Sequence, residues 1–195
     1  TVARPDFKEA ANATFYDNIR VSEDHLVGEL NGGWRLITGQ LNRERLSLVN
    51  VGPTSVLFNN VVDWCREVEL PGEGKLIEQP WVQLNLARVR TGIEALKLIC
   101  YKQAWAMSEG KLEMADASAA KVYGSEFFVE VYRLLGEVLG QASLIKSESE
   151  VGQVLSGRLE RLYRTASIIT FGGGANEIQR DIISAAGLWM PRASR

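Results

Sequence analysis

The chain has little of what announces metal, redox or crosslinking chemistry. Its 195 residues include one histidine, His25, and two cysteines, Cys65 and Cys100. A zinc site takes three or four closely spaced ligands, and His25 sits in a charged loop with no second ligand near it. A ferritin-like metal bundle needs Glu-x-x-His pairs on its helices, and the one histidine lies outside them. No metal site is expected. The cysteines stand far apart, each inside a helical pattern. They read as reduced core thiols in a cytoplasmic protein, not as a disulfide framework. No apolar run reaches the roughly 18 residues that span a bilayer, and the opening residues do not form a signal peptide. Excess charge of one sign is missing too. With 22 Lys and Arg against 24 Asp and Glu, the net charge of −2 points to neither nucleic acid nor an anionic membrane as partner.

What is present is enough apolar sequence, 46%, for one good core. In residues 1–31, Phe15, Asp17, Ile19 and Val21 alternate with Tyr16, Asn18 and Arg20, the pattern of a half-buried strand. Asn31-Gly-Gly33 then punctuates a change of architecture. From Trp34 the period becomes 3.6. A first helix is expected over 34–68, kinked or split at Pro53, whose ring and missing N–H interrupt the backbone ladder. Leu70-Pro-Gly-Glu-Gly-Lys75 is a turn. A second helix over 77–108 carries Val82, Leu86, Val89, Ile93, Leu96 and Cys100, and Gly110 ends it. A third starts near Met114 with Phe127, Val131, Leu134 and Val138 on one face. Residues 143–152 form a polar excursion, and helices over 154–169 and 177–188 close the domain. Long amphipathic helices with short links predict a mainly α, antiparallel helical bundle over 32–195.

Two stretches carry candidate chemistry. Thr170-Phe-Gly-Gly-Gly-Ala-Asn-Glu-Ile-Gln-Arg180 runs from an apolar segment through three glycines into a helix. Asn176 offers an N-cap and Gln179 completes a capping-box pattern. Free N–H groups at such an entry suit an oxygen carrying negative charge, although many Gly-rich helix entries are only turns. In the first helix, Trp34, Ile37, Leu41, Glu44, Leu48 and Val51 recur at helical spacing. This places Glu44 on the apolar face, with Arg43 and Arg45 to its sides. A carboxylate in an apolar seam has its pKa raised and suits a general base; the same position also suits an ion pair with an arginine.

Glu177-Ile-Gln-Arg180 with the apolar helix that follows resembles the last helix of the acyl-CoA dehydrogenase family, a family of flavoproteins. Phe15-Tyr-Asp-Asn-Ile-Arg-Val21 and Leu26-Val-Gly-Glu-Leu-Asn-Gly-Gly-Trp34 resemble the passage from that family's middle β-domain into its C-terminal helical domain. The resemblance implies that residues 1–31 end a β-domain, that 32–195 are the C-terminal bundle, and that half of a full-length member is absent. Most members place their catalytic glutamate in the loop before the last helix, where this chain has Gly173. Leu41-Asn-Arg-Glu-Arg-Leu46 is similar to the segment from which the isovaleryl and long-chain types supply it instead, which makes Glu44 the base. The implied reaction removes the α-proton of an acyl-CoA thioester and passes a β-hydride to FAD, giving the trans-2-enoyl-CoA. Gly173 would donate its N–H to the thioester carbonyl, with Arg45 beside the substrate and Gly174, Asn176 and Glu177 near the cofactor. An electron-transfer protein would take up the electrons.

The flavin motifs depart from the family's. Its Arg-x-x-Phe-Gly run is replaced by Glu69-Leu-Pro-Gly-Glu-Gly, and its Gln-x-x-Gly-Gly by Glu137-Val-Leu-Gly140-Gln141. A carboxylate facing a diphosphate repels it. Retaining the base while losing these contacts fits a heteromer whose sister subunit supplies them. The altered motifs look like the heterotetrameric branch of actinobacterial steroid side-chain degradation. A non-catalytic scaffold subunit and an acyl-CoA oxidase are the alternatives.

Overall fold

The computed structural model describes residues 13–149 and 154–191; the opening residues of the expected strand-bearing segment and the end of the 143–152 excursion lie outside them. Two compact units are present, Thr1–Ile37 and Thr38–Arg195. In the first, the described residues before α1 hold no strand. Phe15 (88% exposed) and Ile19 (62%) are as open as Tyr16 (82%), so neither face of the alternating pattern is covered. Alternation specifies a strand only where a neighbouring strand and a core are there to take it, and among the described residues neither covers this segment.

The rest is the expected helical bundle. The first long helix is split into α1 (Gly33–Leu48) and α2 (Gly52–Glu67), with Pro53 in the first turn of α2, where its missing N–H costs nothing. A two-residue-per-strand hairpin, β1 (Glu69–Leu70) with β2 (Gly74–Lys75), follows. Then come α3 (Pro80–Ser108), α4 (Met114–Leu139), α5 (Arg158–Ile169) and α6 (Asn176–Ile182), the last running into a π-helical turn over Ile183–Gly187. The end of α3 is closed by paired bonds, Gly110 N to Met107 O and Lys111 N to Ala106 O, a Schellman pattern that reverses the chain in a few residues. Contacts between α3 and α4 then run in opposite senses: Gln103 Nε2 donates to Asp116 O, and Asn85 Nδ2 donates to Glu137 Oε2. The two helices are antiparallel along most of their length.

The α4 helix is the centre. Its Phe128, Val131, Leu134, Leu135 and Val138 meet Leu57 and Val61 of α2, Val82, Val89 and Leu96 of α3 and Leu159 of α5 in one buried cluster. Each such side chain contributes about 1.5–3 kcal/mol by leaving water. No helix among the described residues is long and apolar enough to cross a membrane. No group of His, Cys, Asp or Glu among them could hold a metal.

Two packing points are testable. At Gly124 on α4, a Cβ would lie 2.5 Å from Val49 Cβ, an atom that cannot swing aside. Gly124→Ala gains helix propensity of about 1 kcal/mol but overpacks by about 1–3 kcal/mol or more, so denaturant titration should show a net loss of stability. Cys65 is fully buried and burial pushes its thiol up to about 11. At pH 8 it should resist iodoacetamide in the folded protein and react once the chain is unfolded.

Candidate active site

The Gly-rich stretch, residues 171–175, crosses from α5 to α6 over a set of buried polar groups. Gly173 has φ +68° and Gly174 φ +104°, angles that a side chain resists. A Cβ would also displace a neighbour: on Gly173 it would stand 2.7 Å from Leu48 Cδ1, and on Gly174 2.5 Å from Gln179 Nε2. The loop is held from two sides. Arg45 on α1 donates from Nε to Gly173 O (3.3 Å) and from Nη1 to Asn42 Oδ1 (2.8 Å). Lys121 on α4, with no exposed surface, donates from Nζ to Thr170 O (2.8 Å), Gly174 O (2.7 Å) and Asn176 Oδ1 (2.6 Å). Three donors meet three acceptors, which is what a buried ammonium requires. Burial, then repulsion from Arg45, pushes the Lys121 pKa down, with Glu177 and Glu126 opposing. Burial also lowers that of Arg45 against the attraction of Glu44.

Asn176 completes the network. Its Nδ2 donates to Ser125 Oγ (3.0 Å) and Glu126 Oε1 (3.2 Å), and Arg180 Nη2 donates to the same Glu126 oxygen (2.6 Å). The expected capping box is therefore absent. Ala175 occupies the N-cap position, and the Asn176 amide is turned inward because a buried cation is a stronger partner than a helix-end N–H. Gln179 is fully buried beneath Gly174, and neither of its amide atoms has a partner among the described residues.

The seam of α1 also differs from expectation. Glu44 is exposed, and the buried positions are Arg45 and, just beyond the helix, Val49. The buried face is rotated by one residue because Arg45 finds acceptors in Asn42 and Gly173. Of the expected site residues, the fold gathers Arg45, Gly173, Gly174 and Asn176 into one cluster. Glu44 and Glu177 are exposed at positions next to it in sequence. Lys121 was not foreseen. The available signal was its register: it falls in step with Ala117, Ser125 and Phe128 on the buried face of α4.

The two altered flavin motifs have their own settings. Glu69 and Glu73 are exposed on the β1–β2 hairpin. Glu137 is held within the chain, accepting from Arg133 Nη1 and from Asn85 Nδ2.

The family model for the acyl-CoA dehydrogenase C-terminal domain matches residues 31–188. The chain belongs to the acyl-CoA dehydrogenase family. It is 47% identical over its whole length to the acyl-CoA dehydrogenase FadE26 of Mycobacterium tuberculosis, covering 48% of that protein. To FadE29 of the same organism it is 36% identical over 94% of the chain, covering 46% of that protein. The chain thus spans about half the length of the curated relatives it matches. Among solved structures it is similar to the ChsE4-ChsE5 complex of Mycobacterium tuberculosis, with a TM-score of 0.83 and 47% identity over 92% of this chain and 46% of that one. The Tcur3481-Tcur3483 steroid ACAD gives a TM-score of 0.83 at 43% identity over 92% of this chain and 45% of that one.

Members of this family are flavoproteins. The Gly173–Gly174 loop fits the close approach of a flavin and its substrate. It has no side chains, and the Gly173 N–H has no acceptor among the described residues. Asn176 does not fit as a cofactor ligand, since its amide is consumed inside the protein. The exposed acidic hairpin and the paired Glu137 do not fit a diphosphate.

Gly174→Ala tests how firmly the loop is fixed. The forced φ and the clash with Gln179 should cost about 1–3 kcal/mol, read as a lower Tm and faster amide exchange over residues 171–176.

Proposed function

We propose that the full-length protein is a subunit of an FAD-dependent acyl-CoA dehydrogenase that converts an acyl-CoA thioester to the trans-2-enoyl-CoA, with Glu44 as the base. One observation supports this reading: the Gly173 loop is docked on α1 through Arg45, the residue that follows Glu44. Arg45, the next residue, bonds Gly173 O, and Leu48, one turn beyond Glu44, is the side chain nearest to Gly173. Glu44 takes the α-proton. The Gly173 N–H donates to the thioester oxygen as negative charge develops there, and the Arg45 cation adds to that field. Gly174 and Glu177, at the start of α6, would hold FAD, whose chemistry when bound would be to accept the β-hydrogen as hydride. An electron-transfer protein is the expected onward acceptor, and the cytoplasm the expected setting.

We further propose a heteromer with a sister acyl-CoA dehydrogenase subunit acting on steroid side-chain CoA esters. The misfit of Glu69, Glu73 and Glu137 to a diphosphate supports the partner. Similarity to proteins described as a ChsE4-ChsE5 complex and as a steroid ACAD supports partner and substrate class alike. The exposure of Glu44 favours a second reading, a non-catalytic scaffold subunit.

Anaerobic flavin bleaching by acyl-CoA thioesters separates the two, using the full-length protein co-expressed with its partner. Glu44→Gln should slow bleaching about 10²–10⁴-fold while flavin content is kept. Equal bleaching by wild type and variant would place the base on the partner.

A further inference from the structure

Lys121 has no part in the chemistry described above, yet it brings a full charge into the cluster. An ammonium with no exposed surface is expensive even when fully bonded, and an apolar residue of like volume in its place is often no less stable. A second cation, Arg45, contacts the same loop and repels it.

The backbone shows what the arrangement achieves. Lys121 straddles Gly173, binding Thr170 O on one side and Gly174 O and the Asn176 side chain on the other. Of the neighbouring amides, Gly172 N is bonded to Ile168 O, Gly174 N to Phe171 O and Asn176 N to Thr170 O, while Ala175 N, like Gly173 N, has no acceptor among the described residues. The Gly173 N–H is left without an acceptor among the described residues. We infer that Lys121 is a positioning residue, which ties the loop's carbonyls inward onto α4 and so presents the Gly173 N–H to the substrate's thioester oxygen. This rests on the reading of Gly173 as that oxygen's donor. The rigid α4 platform, not the loop itself, sets the direction of the donor.

The test compares two ligands on the full-length holoenzyme assembled with its partner: an enoyl-CoA thioester, and the matching alkyl-CoA thioether, which lacks the carbonyl. Calorimetry gives the affinity ratio. Wild type should prefer the thioester. Lys121→Met should lower that preference about tenfold while the thioether binds as before, and amide exchange at residues 171–176 should rise. A merely structural lysine would weaken both ligands equally, and that result, or an unchanged ratio, overturns the inference. If Lys121→Met does not assemble, Lys121→Gln, which keeps an amide donor, is judged by the same ratio. A wild type with no preference would remove the Gly173 donor itself and both readings with it.

Discussion

A buried ammonium has to be surrounded by oxygen, and much of the local structure follows from that need at Lys121. Among the described residues, the oxygens that reach it come from the end of α5, the loop between α5 and α6 and the first residue of α6. Satisfying them fixes where α5 stops, how the glycines turn and where α6 begins. It also draws Asn176 away from the helix end and onto Ser125 and Glu126. Desolvation makes the alternative steep: a lost carbonyl partner would leave a buried charge short of an acceptor. The loop therefore lacks the freedom that three glycines would otherwise give it.

The helices were legible in the sequence because their burial is periodic. Val82, Leu86, Val89, Ile93 and Leu96 form the inner face of α3 as their spacing requires, and Pro53 divides the first helix where ring sterics demand. The hairpin appeared as a turn. What could not be read was the rotation of α1. Hydropathy places an arginine outside and cannot register that Asn42 and Gly173, the latter 128 positions away, will satisfy it. Glu44 and Arg45 are adjacent charges, and tertiary hydrogen bonding alone decides which is buried.

The same limit explains the capping box and the strand. Asn176 has the right identity and spacing to cap, but a cation from α4 competes for its oxygen, and local sequence does not contain that competitor. Phe15 to Val21 alternate correctly, but alternation is a statement about a sheet, and among the described residues no strand pairs with this segment, so its apolar side chains stay exposed. In each case the local signal was sound and a distant group, or its absence, prevailed.

The cluster and the altered flavin motifs then pull in different directions. Beneath the glycine loop the chain concentrates positive charge, with Lys121 and Arg45 both spent on carbonyls and lowered in pKa by burial. At the positions where the family meets a diphosphate it places carboxylates, and Glu137 is stabilised there by Arg133 and Asn85 of its own chain. Such a carboxylate is not a frayed remnant of a binding motif. It has partners in its own chain, and turning it toward a diphosphate would break two bonds and add a repulsion. A chain can keep a field suited to an anionic transition state at one end and refuse an anion at the other only if the two surfaces serve different sites. That division of labour is the physical sense in which the proposed sister subunit completes what this one leaves out.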